Sequence, residues 1–389
     1  MHPTGLPELI GFSPEQAALL DDLLEHEGLE SRSEQGTIPR LDAKKGPLSF
    51  AQQRMCFLDR WQPGTALYNL PLALRLQGPL NRPALQQTLN ALVVRHAALR
   101  TIFPTEGGQP VQVTLEPQPV PLPLVDWVEV SPSAGNGSLT GFLEEEARRP
   151  FDLARGPLFR AQLVRSSAQD HVLLFGMHHI VSDAGSLDLL VREWAALYDA
   201  FAQGGRIDLP ELPIQYGDFA AWQRDGLKGE ALEQQLGYWK KQLAHPPAGL
   251  NLPTDQPRAA RSSCRGAVQS AALPIHLSEA LHELSQREQA TPFMVLLAGF
   301  ATLLHRYSGQ DDLCLGSPFS SRTCVEMEGV FGFFVNTLAL RMNFAGQPTF
   351  AQLLARVRDS VLGAAANQDV PFDQVVEAVQ PARHAQQHP

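Results

Sequence analysis

Residues 172–186 read VLLFGMHHIVSDAGS and join an apolar strand to a polar loop and to the start of a helix. The first four residues form a short apolar run, which is typical of a buried strand. From Ser186 onward, apolar residues recur at helical spacing, so we expect a helix that Gly204 and Gly205 end. A strand, a loop and a helix in this order hold reactive side chains at a rigid rim.

The polar loop offers three groups for chemistry: His178, His179 and, four residues after the second histidine, Asp183. Adjacent side chains point in different directions on most backbones, so we expect only one imidazole to face a cleft. The carboxylate can turn back onto the loop and fix its geometry or the tautomer of an imidazole. Three interpretations stay open on these residues: a histidine base for acyl transfer between two bound substrates, a metal site, and structural histidines at a strand end.

The motifs that the chain lacks narrow the choice of chemistry. The sequence places no third clustered ligand near the loop, which counts against a metal site. It contains no GxSxG elbow, which counts against a hydrolase with a serine nucleophile. It also contains no GxGxxG or Walker-type loop for nucleotide phosphates.

The composition excludes several classes of partner. The chain has 389 residues, with 31 Lys and Arg against 41 Asp and Glu, and a formal net charge of −10. Nucleic acids and polybasic membrane surface sites need a basic footprint, so we expect neither as a partner. The longest apolar run, residues 293–304, is shorter than the ~20 residues of a membrane span, and no signal peptide is evident. The 4 cysteines form no CxxC pair, which predicts free thiols and a soluble, cytoplasmic protein.

Residues 1–46 differ from the rest of the chain. Ser13 and Pro14 predict the start of a helix, whose leucines recur at helical spacing as far as residue 24. The polar segment 31–47 is typical of a linker. A lone amphipathic helix cannot bury its own leucines, so this one packs either on the main body or on a partner, as a docking segment at the start of a polypeptide would.

From residue 47 onward the pattern is mixed and predicts an α/β fold. Alternating leucines over residues 70–76 predict a half-buried strand, and the leucines of residues 85–92 predict a helix. The second half repeats the mixture. Ser278 and Thr291 are expected to begin helices, the second of them buried, and residues 335–342 are expected to form a strand.

Six segments, in the order and at intervals that are plausible for one known family, carry a further signal. They are LSFAQQRMCFLDR (48–60), RHAALRTIF (95–103), MHHIVSDAGS (177–186), YGDFAAWQ (216–223), GFFVNTLALR (332–341) and NQDVPFDQVVE (367–377). Together they resemble the core motifs of the condensation domains of non-ribosomal peptide synthetases. One such motif would be weak evidence, whereas six in register are strong.

The resemblance implies a fold of two lobes, each similar to a chloramphenicol acetyltransferase protomer, set in a V with a central tunnel. It assigns the N-terminal lobe to residues 47–212 and the C-terminal lobe to residues 213–389, after the segment 1–46. The second lobe is expected to be incomplete, because residues 383–389 end within a motif that the family writes as R-D-x-S-x-x-P.

The resemblance also implies roles for residues of the HHxxxD loop. His179 corresponds to the catalytic histidine that faces the tunnel, and His178 points away and supports the loop. Asp183 is mainly structural and pairs with an arginine of the RHxxLR motif. Arg95 is the first candidate for that salt bridge and Arg100 the second, because a buried carboxylate needs a countercharge.

Three further positions belong to this predicted site. Asn336 corresponds to a packing and hydrogen-bonding residue near the lobe interface and the tunnel. Where the family usually has Gly after the Asp, this chain has Ala184 followed by Gly185. Alanine would strain the loop if a positive φ were required there, but we expect Gly185 to relieve the strain and activity to be kept.

The activity implied is amide bond formation between an acyl or peptidyl thioester donor and an aminoacyl acceptor amine. Both substrates are covalently carried on the 4′-phosphopantetheine arms of partner carrier domains, one upstream and one downstream. These carriers belong to neighbouring synthetase or polyketide synthase modules. The domain is expected to need no cofactor and no metal of its own. The motifs HHIVSD and GFFVNTLALR resemble the class that takes L-configured or acyl donors.

Alternatives of other classes stay open. An epimerisation domain shares His-His-x-x-x-Asp, but GFFVNTLALR resembles the condensation form of that motif. A heterocyclisation domain would replace the histidines with Asp. Another acyltransferase of the superfamily, acting on coenzyme A, would not need the whole motif series. A catalytically degenerate scaffold that docks carriers is the non-enzymatic alternative, motivated by Ala184 and the expected truncation.

Overall fold

The structure is a computed structural model that describes residues 37–127, 138–247, 249–255 and 268–380 together with Leu19 and Leu23. Leu19 and Leu23 are helical, and the remainder of the helix predicted over residues 13–24 lies outside the described residues. The same holds for residues 383–389, on which the predicted C-terminal motif falls.

The described helices and strands alternate along the chain. In order they are β1 (Lys45–Gly46), α1 (Phe50–Trp61), β2 (Asn69–Gln77), α2 (Arg82–Arg95), β3 (Thr101–Ile102), β4 (Thr105–Glu106), β5 (Gln109–Pro110), β6 (Gln112–Thr114), β7 (Leu124–Asp126), α3 (Leu139–Ala147), β8 (Phe159–Ser167), β9 (Asp170–His178), α4 (Ala184–Ala202), α5 (Tyr216–Gly226), α6 (Glu230–Gln242), α7 (Ile275–Arg287), α8 (Pro292–Ser308), β10 (Asp312–Ser320), α9 (Val325–Glu328), β11 (Val335–Asn343), α10 (Phe350–Ala366) and α11 (Phe372–Val379). Short 3₁₀ turns cover Ala97–Arg100 and His179–Val181. The predicted α/β class is confirmed.

The chain divides into two compact units. The first unit comprises residues 36–226 and 322–335. The second comprises residues 227–321 and the chain from 336 onward. This division differs from the predicted lobes. The reason is that Tyr216 and Phe219, from α5, and Phe331 and Phe334, which precede β11, are buried in the core of the first unit.

The main sheet of the first unit has the strand order β2–β9–β8–β7. β9 is antiparallel to both β2 and β8, and β7 is parallel to β8. β9 has a strand on each side, so its backbone is paired along both edges. Its apolar run 172–175 is buried throughout, which means that both faces of the sheet are covered there. The last residue of β9 is His178, so the histidine pair lies at the end of this strand, as the sequence predicted.

Helices α2 and α4 supply the other layer of this core. The N-cap Asn81 accepts a hydrogen bond from the N–H of Ala84, and Pro83 stands within the first turn of α2. The predicted leucine stripe of α2 is confirmed, since Leu85, Leu89 and Leu92 are each fully buried. A fully buried leucine side chain stabilises the fold by roughly 1.5–3 kcal/mol.

The second unit carries the paired strands β10 and β11 with helices α6, α7, α8, α10 and α11. The predicted N-cap Thr291 of α8 is confirmed, and Gly309 ends the helix with a left-handed φ of 70°. α8 was predicted to be buried, but only one face is, because Leu296, Phe300 and Leu303 are each about half exposed. None of the helices in the described part of the chain combines the length and apolar character needed to cross a membrane.

Candidate active site

The HHxxxD loop is a tight connection between β9 and α4. The N–H of His179 donates to the carbonyl of Tyr68 at 2.8 Å, which anchors the loop to the neighbouring chain segment. Ser182 bonds back twice, from its N–H to the carbonyl of His179 and from its hydroxyl to the carbonyl of His178. α4 begins at Ala184 rather than at the predicted Ser186, because Asp183 caps it.

His179 presents one ring nitrogen for chemistry. Its Nδ1 lies 2.9 Å from the carbonyl oxygen of Ser182. A carbonyl can only accept, so Nδ1 carries the proton and Nε2 of the neutral ring carries the lone pair. Within the described residues Nε2 has no hydrogen-bond partner, and the ring is only partly buried. His179 therefore offers a base of fixed tautomer.

His178 is placed quite differently. Its side chain is buried, and its Nδ1 accepts a hydrogen bond from the N–H of Ile180 at 3.1 Å. Burial, with a smaller contribution from the neighbouring charge of His179, lowers the pKa of His178 to about 4. The ring is therefore neutral at pH 7 and holds the backbone of the loop.

Asp183 lies at the base of the loop and is almost fully buried. Its Oδ1 accepts hydrogen bonds from the N–H and the hydroxyl of Ser186, both at 2.8 Å, and from Nη2 of Arg322 at 2.9 Å. Its Oδ2 accepts from the N–H of Phe334 at 3.1 Å. Four donors and the N-terminus of α4 compensate the negative charge, and none of them belongs to a histidine.

Arg322 is a residue that the sequence analysis did not identify. Its Nη1 donates to the carbonyls of Met327 and Val330, both at 2.6 Å, while Nη2 bonds Asp183. The guanidinium also lies over the ring of Phe334, with its carbon 4.1 Å from the centroid. Asp183 and Arg322 are 139 residues apart, so no local pattern links them.

The predicted salt bridge of Asp183 with Arg95 or Arg100 is therefore corrected. Arg95 donates to Glu193 at 3.1 Å, and Arg100 donates to the backbone carbonyls of Val93 and Leu115. The geometry of α4 explains the difference. Glu193 follows Asp183 by ten residues, or about 15 Å along a helix axis, and α2 meets α4 at the level of Glu193.

His96 completes a buried cluster with Arg95 and Glu193. Its Nε2 lies 2.6 Å from the second carboxylate oxygen of Glu193, and its ring packs 4.3 Å from that of Phe331. Burial lowers the pKa of His96, against the opposing hydrogen bond to Glu193. This cluster joins α2 to α4 and does not touch the HHxxxD loop.

Ala184 does not carry the strain that its position suggested. It is the first residue of α4, and it is not among the residues with positive φ. The next position is the restricted one, since a Cβ on Gly185 would lie 3.2 Å from Nε of Arg322. The structure thus accommodates alanine after the aspartate and uses the adjacent glycine for close approach of the arginine.

Asn336 is assigned to the second unit, whereas the HHxxxD loop is assigned to the first. Its Nδ2 donates to the carbonyls of Gln368 and Val370, both at 2.8 Å. Its Oδ1 accepts from the N–H of Phe372 at 3.2 Å. All these bonds tie β11 to the turn between α10 and α11, which is a scaffold role.

Comparison with known proteins adds independent information. The family model described as "Condensation domain" matches residues 42–389. One of the linear gramicidin synthase proteins of Brevibacillus parabrevis is 46% identical over 374 residues, which cover 96% of this chain but 5% of that protein. Malpibaldin synthetase of Mortierella alpina is 45% identical over 353 residues, which cover 90% of this chain and 6% of that protein. This chain therefore spans a small fraction of the length of these relatives.

Two solved structures have a similar fold. The X-domain in its complex with OxyB from teicoplanin biosynthesis matches with a TM-score of 0.77 and 29% identity, over 91% of this chain and 79% of that one. The first condensation domain of the calcium-dependent antibiotic synthetase, in complex with a substrate analogue, matches with a TM-score of 0.72 and 22% identity, over 87% and 78% of the two chains.

Proposed function

Since this chain belongs to the condensation-domain family of non-ribosomal peptide synthetases, we propose that it catalyses amide bond formation. The donor is an acyl or peptidyl thioester, and the acceptor is the amine of an aminoacyl thioester. Both substrates are carried on the 4′-phosphopantetheine arms of partner carrier domains, upstream for the donor and downstream for the acceptor. The domain works in the cytoplasm beside neighbouring synthetase or polyketide synthase modules.

The observation that carries this proposal is the fixed tautomer of His179. With Nδ1–H held by the carbonyl of Ser182, the lone pair of Nε2 is available to a substrate. The acceptor amine attacks the thioester carbonyl, and Nε2 takes the proton that the nitrogen loses as the C–N bond forms. The C–S bond then breaks, and the departing thiolate of the donor arm takes up the proton that Nε2 received, which returns His179 to its neutral form.

Proximity supplies a large share of the acceleration in this mechanism. An α-amine has a pKa of about 8, so roughly a tenth is already neutral at pH 7 and no strong base is needed before attack. Holding two tethered reactants together replaces a bimolecular encounter. Asp183 takes no part in the proton transfer, because its oxygens are committed to Ser186, Arg322 and Phe334. Its role is to position the loop.

The test is intact-protein mass spectrometry of a loaded acceptor carrier. The carrier pair is mixed with this chain, with its His179→Ala variant, and with His276→Ala as a control for an exposed histidine on α7. We expect a mass gain equal to the donor acyl group, slower by ~100-fold or more in His179→Ala, because general base catalysis contributes about 10²–10⁴ in rate. Near-normal transfer by a folded His179→Ala variant would refute the role of His179.

A second candidate is a docking domain that binds carriers or enzymes without transfer. The similarity to the X-domain, which is solved in a complex with OxyB, favours this possibility. The negative φ of Ala184 removes one of the reasons for it. Binding of both loaded carriers with no mass gain, in the unsubstituted chain, would establish it in place of the transferase.

A further inference from the structure

Phe333 is an aromatic residue that packs against the imidazole of His179. Its ring centroid lies 4.5 Å from that of His179, and the two planes are inclined at 60°. An edge-to-face contact of this kind is favourable and blocks rotation of the smaller ring on that side. Phe333 is therefore placed to restrict the imidazole of His179.

The backbone around Phe333 is fixed at three consecutive residues. The N–H of Gly332 donates to the hydroxyl of Ser186 at 3.2 Å, and the carbonyl of Phe333 accepts from the hydroxyl of Tyr216 at 2.6 Å. The N–H of Phe334 donates to Asp183. Two of these three anchors, Ser186 and Asp183, belong to the loop and the first turn of α4. The backbone that carries Phe333 is thus hydrogen-bonded to the same loop and helix start that carry His179.

The ring of Phe333 packs against the core of the first unit but is not part of its buried cluster. Phe331 and Phe334 are each 1% exposed and fill that core, whereas Phe333 is only partly buried. The side chains of this aromatic run therefore have separate tasks. Phe331 and Phe334 stabilise the fold, and Phe333 meets the catalytic ring.

We propose that Phe333 is a positioning residue that keeps His179 in the Nδ1–H tautomer, with Nε2 directed to the substrate. The proposal rests on the proposed function for its kinetic consequence, but its structural consequence does not need substrate. The hydrogen bond to Ser182 selects the tautomer only while the ring keeps its orientation. Without the aromatic ring beside it, the imidazole can rotate, lose that bond and exchange between both tautomers.

The direct test is ¹⁵N NMR of histidine-labelled protein without substrate. The His179 signals are assigned by their loss in His179→Ala, and spectra are recorded at a pH where the imidazole is neutral. We expect one tautomer in the unsubstituted chain, a mixture in Phe333→Ala and Phe333→Leu, and one tautomer again in Phe333→Tyr, which keeps an aromatic ring. Phe57→Ala, at a 61% exposed aromatic residue of the same unit, is expected to change nothing.

The kinetic test uses the carrier assay on the same variants. We expect kcat to fall ~10-fold or more in Phe333→Ala and Phe333→Leu, with KM little changed and with recovery in Phe333→Tyr, because a misplacement of about 1 Å can cost ~100-fold in rate. An unchanged tautomer in both the Ala and the Leu variant would overturn the proposal. A tautomer mixture in these variants, together with no transfer by the unsubstituted chain, would leave the positioning role standing and refute the transferase function instead.

Discussion

Replacing Arg322 with methionine removes the countercharge of a buried carboxylate while keeping a long apolar side chain. The side chains of Arg322 and Asp183 are 13% and 3% exposed, so water does not replace the lost contact. Removing one partner of a buried ion pair typically costs about 3–5 kcal/mol. Three donors from Ser186 and Phe334 still stabilise Asp183, so we take about 3 kcal/mol for this contribution.

The same substitution also leaves two backbone carbonyls without their donor. Met327 and Val330 each lose a hydrogen bond from Nη1, and a typical intramolecular bond contributes ~0.5–1.5 kcal/mol. We therefore expect Arg322→Met to lower the free energy of unfolding of the first unit by about 4–6 kcal/mol. At ~2–4 °C per kcal/mol for a unit of this size, the melting temperature should fall by roughly 8–24 °C.

The assay is urea and thermal unfolding, compared with a matched control. Arg75→Met removes an arginine of the same unit from its pair with Asp170, but that arginine is 65% exposed. We expect a loss below ~1 kcal/mol there, because solvent screens the pair. The double variant Arg322→Met with Asp183→Asn should be more stable than the sum of the single losses predicts, since no buried charge remains unpaired. A loss for Arg322→Met as small as that of the control, or strict additivity, would refute this reasoning.

Three further predictions concern packing, pH and the second unit. Gly332→Ala should cost ~3 kcal/mol or more by thermal unfolding, because a Cβ would lie 1.8 Å from the ring of Tyr216; Gly237→Ala, in α6 with no atom within 4 Å of the added Cβ, should be neutral or slightly stabilising. The folded pKa of His178, about 4, lies below the unfolded value of about 6.5, so only the unfolded state binds the proton between them. Stability should fall by up to about 3 kcal/mol as pH falls from ~6.5 to ~4, with His96 contributing in the same direction. Denaturant titrations at several pH values across this range should show that the free energy of unfolding of His178→Asn, whose Oδ1 can still accept from the N–H of Ile180, changes less with pH. An unchanged dependence on pH would exclude His178 as a cause. Asn336→Leu should destabilise by ~2–3 kcal/mol, since two carbonyls lose their donor, and an effect below ~1 kcal/mol would contradict the scaffold role.

Features encoded by neighbouring residues could be predicted from the sequence. The cap Thr291 and the strand that ends in the histidine pair are local signals, and the structure places both as expected. A cap is satisfied within three residues of itself, so tertiary packing seldom overrides it. The start of α4 was misplaced by two residues because Asp183 was interpreted as part of the loop rather than as the cap.

The partners of buried charges could not be predicted in the same way. Arg95 pairs with Glu193, and Asp183 pairs with Arg322, although these partners are 98 and 139 residues apart in sequence. The sequence shows that a buried carboxylate needs a countercharge, but several arginines satisfy that requirement equally well. Which one lies within reach depends on how the chain returns to the first unit, and no periodicity encodes that return. Phe333 was missed for the same reason, because its neighbour His179 is distant in sequence.

The return of residues 322–335 to the first unit has a consequence for the order of folding during synthesis. Residues up to 226 leave the ribosome long before the segment that carries Arg322 and Phe334. At ~5–20 residues per second, the 139 residues that separate Asp183 from Arg322 take roughly 7–30 s to add. Throughout that interval the carboxylate has no arginine, and the places of Phe331 and Phe334 in the core stay vacant. The first unit is thus begun early in translation and finished late, after all of residues 227–321 have been synthesised.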